Sequence, residues 1–186
     1  GDPLDYVTDV GPVIDDEARQ KLEAHKARMA REGKRIFECP LDAATKNGTF
    51  VAPAAYELSS IAPLTEEVFG PVLHVVRYDG KRLDKVIDAV NNTGYGLTLG
   101  LHTRIEDVIE QVRATARVGN LYVNRNQIGA VVGAQPFGGE GLSGTGPKAG
   151  GPHYLNRFAV ERVMSWDTTA SGGNAALMSM EGNAGE

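Results

Sequence analysis

The 186-residue chain has little of what several classes of protein require. Its one cysteine, Cys39, cannot form an intramolecular disulfide, so nothing indicates an oxidising compartment and we expect a cytoplasmic protein. No apolar run approaches the roughly 20 residues that cross a bilayer. The formal net charge is −5 and lysine and arginine form no block, which argues against a nucleic-acid contact from this segment.

The start of the chain also lacks familiar features. GDPLDYVTDVG is polar, has no initiator methionine and has no apolar core of a signal peptide. Its composition is that of a loop. We therefore expect the chain to be part of a longer polypeptide.

Glycine is abundant and concentrated between residues 124 and 155. Each glycine costs backbone entropy but lets the main chain take positive φ and approach a partner closely. A strand is predicted before this segment (119–124) and a helix after it (152–160), an arrangement that can bind an anion at the first helical turn. A long ordered surface loop is an equally good interpretation of the glycine content alone. The segment lacks GxxxxGK[ST] and the dinucleotide GxGxxG spacing, so a phosphate cradle is not favoured.

Periodicity predicts an α/β fold. A helix is expected from Asp15 to a left-handed cap at Gly33, with His25 on its exposed surface. Alternating helical and extended patterns then predict β-α-β-α-β with parallel strands, whose carboxyl ends would carry the site. This prediction comprises three short strands (35–39, 49–52, 56–58), three strands of the parallel sheet (72–78, 97–102, 119–124) and two helices (83–90, 105–112).

The end of the chain departs from this plan. Residues 161–169, ERVMSWDTT, alternate as a strand without a nearby hairpin partner. Residues 170–186 have the composition of a disordered terminus. The alternative is a segment that docks through Leu177, Met178 and Met180.

Few residues suggest chemistry by themselves. Cys39 follows Glu38 and precedes a proline, surroundings that favour a structural cysteine over a reactive one. The four histidines are scattered without metal-ligand spacing. LTEEVFGPV, residues 64–72, allows two interpretations: a helical turn with solvated acids, or a carboxylate that binds sugar hydroxyls beside an aromatic face.

A resemblance distinguishes between these interpretations. EEVFGPV (66–72), followed later by PFGGEGLSG (136–144), resembles the aldehyde dehydrogenase superfamily. The opening residues are similar to the segment after the catalytic cysteine of those enzymes. SGTGPKAGGPHYL (143–155) and TTASGGNAALM (168–178) resemble the glutamate-γ-semialdehyde (Δ1-pyrroline-5-carboxylate) dehydrogenase module, most closely that of the bifunctional proline utilization A flavoenzymes.

The resemblance implies an architecture and an activity. Residues 1–160 would be the C-terminal portion of an aldehyde dehydrogenase catalytic domain, residues 161–169 an oligomerisation strand of a homo-oligomer, and residues 170–186 a tail. The parent would use NAD to oxidise L-glutamate γ-semialdehyde to L-glutamate. The catalytic cysteine, the general-base glutamate and the oxyanion asparagine belong upstream in the family, so we expect no catalytic residue here and no activity from this chain alone.

The resemblance also implies roles for five residues. Glu67 would bind the nicotinamide ribose and Phe69 would lie against the nicotinamide. Gly150 and Gly151 would donate backbone N–H groups to the substrate carboxylate, and Phe158 would line the aldehyde pocket. Two alternatives stay open: an aldehyde dehydrogenase of other specificity, and a non-catalytic structural or oligomerisation module.

Overall fold

The computed structural model of the chain describes residues 1–144 and 146–167. The described residues form α-helices, short strands and 3-10 helices in the order of a mixed α/β fold. The helices are α1 (Asp16–Glu32), α2 (Leu83–Asn91) and α3 (Glu106–Thr115), and the strands are β1 (Lys34–Glu38), β2 (Ala54–Leu58), β3 (Val72–Val76), β4 (Tyr95–Gly96), β5 (Thr98–Leu101), β6 (Asn120–Val123) and β7 (Glu140–Gly141). The 3-10 helices are Ala43–Asn47, Gly80–Arg82 and Tyr154–Phe158. No helix in these two ranges is long and apolar enough to cross a membrane.

Helix α1 begins and ends close to where the sequence predicts. The Asp15 carboxylate caps its start by accepting from the Ala18 N–H at 2.8 Å. The predicted left-handed cap at Gly33 is wrong, since Gly33 is extended with φ −143°. Glycine is needed there for space, because a Cβ would lie 2.5 Å from the Glu57 carbonyl oxygen. The chain therefore lies tightly against β2 where it passes from α1 into β1.

The first sheet has the order β1-β2-β3, with β1 antiparallel and β3 parallel to β2. Helix α1 contacts β1 and β2. The side chains of β2 alternate between buried and half-buried positions. The core between this helix and sheet consists of Met29, Ala54, Tyr56 and Leu58.

The predicted single parallel sheet is wrong in its arrangement. Strand β3 pairs with β2, whereas β5 pairs in parallel with β6 in a separate sheet. The parallel β5–β6 pair confirms the predicted direction of those two strands, whereas the parallel pairing of β2 with β3 was not predicted. Consecutive strands of an α/β chain neighbour one another only about two-thirds of the time, and the local pattern does not show which strands pair. The predicted strand at 49–52 is also absent, since β2 begins only after Pro53, which has no N–H to donate.

The predicted C-terminal helix is corrected as well. In place of a helix over 152–160, only the 3-10 helix Tyr154–Phe158 forms. None of its residues is buried, so no packed face stabilises a longer helix. Residues 161–167 pair with no strand within the described residues. The end of the predicted oligomerisation strand (168–169) and the tail (170–186) lie outside the described residues.

His25 corrects a further prediction, because it is buried. It is 6% exposed, and its Nε2 lies 2.9 Å from the Nε2 of His74 on β3. An Arg28 Nη2 lies 3.4 Å from its Nδ1. Since guanidinium only donates, His25 accepts at Nδ1 and donates from Nε2, and His74 accepts at Nε2. The sequence contains a signal for this burial. Leu22 lies three residues before His25 and Met29 four residues after it, so all three share the buried face of the helix.

Burial lowers the pKa of both histidines. For His25 the Arg28 charge lowers the pKa further, whereas the Glu66 and Glu32 carboxylates raise it. For His74 the neighbouring His25 and Arg28 add to the effect of burial. A hydrogen bond between two imidazoles also requires one unprotonated nitrogen, so protonation of both rings would break it.

Because of the His25–His74 pair, we expect the local stability around α1 to depend on pH. A folded-state pKa below the ordinary value of about 6.5 means that the unfolded state binds more protons in that window. The stabilisation is therefore complete above about pH 6.5 and is lost as pH falls towards the folded-state pKa. We expect amide-exchange protection of residues 18–30 in the parent protein, corrected for intrinsic exchange, to fall between pH 7 and 5.

A His74→Gln variant should weaken this dependence, because a carboxamide does not titrate in that range. The control is His102→Gln, at an exposed histidine. Protection that stays constant with pH in the unmodified protein contradicts the prediction.

Candidate functional site

The acidic segment before β3 forms an irregular loop instead of the helical turn considered from the sequence. Glu66 and Glu67 are exposed, and Phe69 is 89% exposed. The Glu66 Oε2 lies 4.0 Å from the Nζ of Lys21 on α1. Within the described residues Glu67 has no ion pair and no hydrogen bond to its carboxylate. Its oxygens are therefore available as acceptors for hydroxyl groups.

Glu67 lines a groove of about 410 Å³ together with Ser143 of the glycine-rich segment. The groove is bounded by the loop at Leu64–Glu67, by the residues around β4 and the start of β5, by residues 116–118 and by Ser143. The Ser143 Oγ accepts from the Gly96 N–H at 3.1 Å. Ser143 lies in both glycine-rich motifs of the sequence, but neither motif predicted a role for this residue.

A larger groove of about 680 Å³ adjoins this one and shares Leu64, Val90 and Thr93 with it. It lies between residues 59–65 and α2, with basic side chains among its lining residues. None of the five predicted site residues lines it. Volume alone therefore does not locate the site. The candidate site is defined instead by Glu67 and the glycine-rich segment.

The groove that contains Glu67 does not lie at the carboxyl ends of the strands, where the sequence led us to expect the site. The glycine-rich segment leaves β6 at its carboxyl end, where the Asn124 N–H donates to the Leu101 carbonyl at 2.8 Å. It then folds back, since β7 pairs with β4, directly before β5. The Asn120 side chain at the start of β6 donates to the Pro136 carbonyl at 3.0 Å. The second half of the segment therefore lies at the amino ends of β5 and β6.

The predicted anion-binding glycines lie in a tight turn. Phe137 and Ala149 exchange two backbone hydrogen bonds of 3.0 and 2.9 Å. Directly after them the Gly151 N–H donates to the Lys148 carbonyl at 3.0 Å, with Gly150 at φ 72°. Positive φ at the third position is typical of a type II turn and favours glycine. The 3-10 helix begins only after this turn, so a backbone turn replaces the expected helix N-terminus.

The two glycines differ in what they can offer a ligand. The Gly150 N–H makes no hydrogen bond within the described residues, and a Cβ at Gly150 would meet nothing within 4 Å. The Gly151 N–H is already used by the turn. A Cβ at Gly151 would lie 3.0 Å from the Lys148 carbonyl oxygen. Gly150 is therefore the freer donor of the pair.

Phe158 lies on the surface beside this turn. It is 74% exposed and contacts Tyr154 edge to face, with ring centroids 5.7 Å apart. Neither it nor Gly150 lines the groove that contains Glu67. An enclosed aldehyde pocket around Phe158 would require residues in addition to those that the structure describes.

Cys39 and the histidines provide no alternative centre. Cys39 is half-buried beside an apolar groove that includes Phe37 and Leu73, and its N–H donates to the Pro53 carbonyl at 2.9 Å. Among residues 1–144 and 146–167, no group of three or more histidine, cysteine, aspartate or glutamate side chains could hold a metal ion.

The comparisons with known proteins identify the family of the chain. Residues 1–164 match the aldehyde dehydrogenase family, and the chain belongs to that family. A bifunctional protein PutA from Klebsiella aerogenes is 54% identical over 167 residues, which make up 87% of this chain and 13% of that protein.

Two solved structures extend the comparison. A crystal structure of a proline utilization A (PutA) mutant from Bradyrhizobium japonicum superimposes with a TM-score of 0.78 at 61% identity, covering 83% of this chain and 16% of that one. A Thermus 1-pyrroline-5-carboxylate dehydrogenase with bound NAD gives 0.71 at 37% identity, covering 80% and 28%. The resemblance inferred from the motifs is thus confirmed. The chain spans about an eighth of the length of the PutA relative.

Proposed function

We propose that this chain is the C-terminal portion of the catalytic domain of an NAD-dependent dehydrogenase that oxidises L-glutamate γ-semialdehyde to L-glutamate in proline catabolism. Membership of the aldehyde dehydrogenase family supports the reaction class. The Thermus neighbour supports the substrate and the cofactor. The single cysteine and the proline-metabolism relatives support a cytoplasmic location.

The observation that carries the substrate assignment is the turn at Gly150. A free N–H in an open turn can donate to a carboxylate, and a charge-assisted hydrogen bond of this kind is stronger than a neutral one. Glutamate semialdehyde carries such a carboxylate at the end opposite its aldehyde. In this proposal the Gly150 N–H holds the carboxylate and the Gly151 N–H joins it by sharing its turn hydrogen bond. Phe158 covers the aliphatic part of the substrate.

The residues present also fit a nicotinamide cofactor. The free Glu67 carboxylate in the groove can accept from ribose hydroxyls, and the exposed Phe69 ring can lie against a planar ring. NAD, when bound, accepts a hydride from the oxidised carbon. Glu67 and Phe69 would orient the cofactor, whereas the nucleophile and the general base would come from other parts of the parent protein.

Residues 161–169 would join protomers in a homo-oligomer. Val163, Met164 and Trp166 are 84%, 73% and 72% exposed, and residues 161–167 belong to no strand of the described chain. An extended segment with large exposed apolar side chains favours addition to a partner's sheet or surface.

The oligomer proposal makes one prediction. Deleting residues from 161 onward in the parent protein should shift it towards monomers in multi-angle light scattering, because the exposed segment and its apolar side chains are lost. The double variant Met164→Lys, Trp166→Lys, which keeps the chain length, should act in the same direction. If both variants retain the assembly of the unmodified protein, this segment does not join protomers.

For the cofactor, we expect Glu67→Gln in the parent enzyme to raise the Michaelis constant for NAD by about ten- to a hundredfold. Hydrogen bonds to charged groups are worth about 1.5–3 kcal/mol, which corresponds to that range. The constant for the aldehyde should change much less. Steady-state kinetics with each substrate varied in turn measures both.

The matched control is Glu66→Gln, at the adjacent exposed carboxylate that already faces Lys21. It should leave the NAD constant near that of the unmodified enzyme. Unchanged NAD kinetics in Glu67→Gln would remove the ribose-binding role.

For the substrate, we expect Gly150→Val to raise the Michaelis constant for glutamate semialdehyde by about ten- to a hundredfold. A β-branched residue is strained at φ 72° and crowds the approach to the Gly150 N–H. Oxidation of propanal, which has no carboxylate, should suffer much less. The ratio of kcat/KM for the two aldehydes is the measurement.

Gly133→Val is a matched control, because Gly133 has φ 81° and a Cβ there would also meet nothing within 4 Å. It imposes similar backbone strain in the same glycine-rich segment and should not alter the ratio. If Gly150→Val weakens both aldehydes equally, the carboxylate assignment fails and an aldehyde dehydrogenase of other specificity becomes the better proposal.

A further inference from the structure

Lys148 stands out among the basic residues because it contacts several acceptors but no carboxylate. Its half-buried ammonium group donates to the Gly119 carbonyl, to the Asn120 Oδ1 at 3.1 Å and to the Gly138 carbonyl at 3.1 Å. An ammonium group has three hydrogens, so these acceptors use all of them. No ion pair to Lys148 occurs within residues 1–144 and 146–167. The group is therefore bound through neutral oxygens of two separate segments.

Asn120 completes this cluster from the other side. Its Nδ2 donates to the Pro136 carbonyl at 3.0 Å, and its Oδ1 also accepts from the Gly138 N–H at 3.3 Å. Asn120 is the first residue of β6, where it pairs with Thr98. The cluster thus connects a strand held in a parallel ladder to the start of the glycine-rich hairpin.

Glycines allow the segments to approach closely enough for this contact. A Cβ at Gly119 would overlap the Gly138 carbonyl oxygen, and a Cβ at Gly138 would lie 3.3 Å from the Cα of Lys148. The backbone around Lys148 is therefore seated directly on Gly138. Side chains at these positions would push the hairpin away from β6.

Lys148 is also the first residue of the turn that presents Gly150. Its carbonyl accepts the Gly151 N–H at 3.0 Å, and the next residue, Ala149, is bridged to Phe137. The ammonium group, the hairpin bridge and the turn thus form one continuous connection from β6 to the Gly150 N–H. A shift of Lys148 would move the turn with it.

We infer that Lys148, held by Asn120 and the Gly119 and Gly138 carbonyls, is the positioning residue that sets the carboxylate-binding turn of the substrate site. Lys148 touches no substrate in this assignment; it acts through the backbone of the turn. The inference rests on the proposed function, since the turn matters for catalysis only if it binds the carboxylate. Specificity for an aldehyde that carries a carboxylate would then depend on a lysine that makes no ion pair with a residue of the described chain.

The test is Lys148→Met in the full-length parent enzyme, a side chain of similar length without donors. We expect the Michaelis constant for glutamate semialdehyde to rise by about tenfold or more, as for a lost hydrogen bond to a charged group. The turnover number, the constants for propanal and the constant for NAD should stay within about twofold, since a local shift of the turn reaches only the carboxylate. Asn120→Ala should act in the same direction. Lys46→Met, at an exposed lysine, is the control and should leave all constants near those of the unmodified enzyme.

Hydrogen exchange separates a displaced turn from a general loss of structure. In Lys148→Met, amides of residues 146–151 should exchange faster, whereas those of residues 54–58 in β2 should not change. Equal weakening of both aldehydes, or faster exchange throughout, would mean that Lys148 is only structural and would overturn the inference. Unchanged kinetics for glutamate semialdehyde would overturn it too.

The Gly150→Val variant keeps this test distinct from that of the proposed function. If Gly150→Val weakens glutamate semialdehyde oxidation more than propanal oxidation, and Lys148→Met changes neither, the proposed function stands and the inference fails. If Gly150→Val shows no selectivity, the proposed function fails and the inference fails with it. The double variant combines Gly150→Val and Lys148→Met. If its Michaelis constant for glutamate semialdehyde is no higher than that of Gly150→Val alone, both substitutions act through the turn; full additivity of the two effects contradicts this.

Discussion

The close approach of backbone to backbone at Gly119 is the constraint on which the candidate site depends. This residue precedes β6, and a Cβ on it would overlap the Gly138 carbonyl oxygen. A second approach of the same kind occurs within the segment, where a Cβ at Gly144 would overlap the Gly139 carbonyl oxygen. Side chains at these positions are sterically excluded, so the glycines are required for proximity and not for flexibility. Because the glycine-rich segment can lie this close to β6, it folds back along β6 from the carboxyl end of the strand to its amino end.

This return explains why the proposed binding segments lie at the opposite end of the strands from the general expectation. In open α/β sheets, ligands bind outside the carboxyl ends because the loops there converge. Here the loop at the carboxyl end of β6 extends back to its amino end and pairs through β7 with β4. The loop that carries Glu67 precedes β3 and so also lies at an amino end. Both predicted binding segments therefore occupy the same end of their strands, and the groove between them contains Glu67 and Ser143.

Local patterns in the sequence predicted the elements but not their arrangement. Helices α1, α2 and α3 follow from apolar periodicity, because that signal comes from the residues that form each helix. The pairing of β3 with β2 depends on which strand edges meet, and no periodicity contains that information. The helix expected at 152–160 failed because the pattern implied a buried face that nothing in the described chain covers. The candidate site residues could be proposed only through motifs, since an exposed Glu67 and an open Gly150 turn look locally like ordinary loops.

Helix α1 links the buried core to the exposed binding loop. Leu22 is 1% exposed and packs so closely on Gly70 that a Cβ there would lie 2.6 Å from its Cδ1. Gly70 follows Phe69 directly, so the side chain that would face the nicotinamide is one residue from a fixed contact. One turn further along the helix, His25 contacts His74 on β3 and fixes the strand that the loop enters. Before Glu67, an Arg28 Nη1 on α1 donates to the Pro63 carbonyl at 2.9 Å. The loop is therefore held by α1 on both sides of Glu67, whose carboxylate accepts no hydrogen bond within the described residues. A rigid support beneath an exposed functional group keeps that group preorganised for its ligand at low entropic cost.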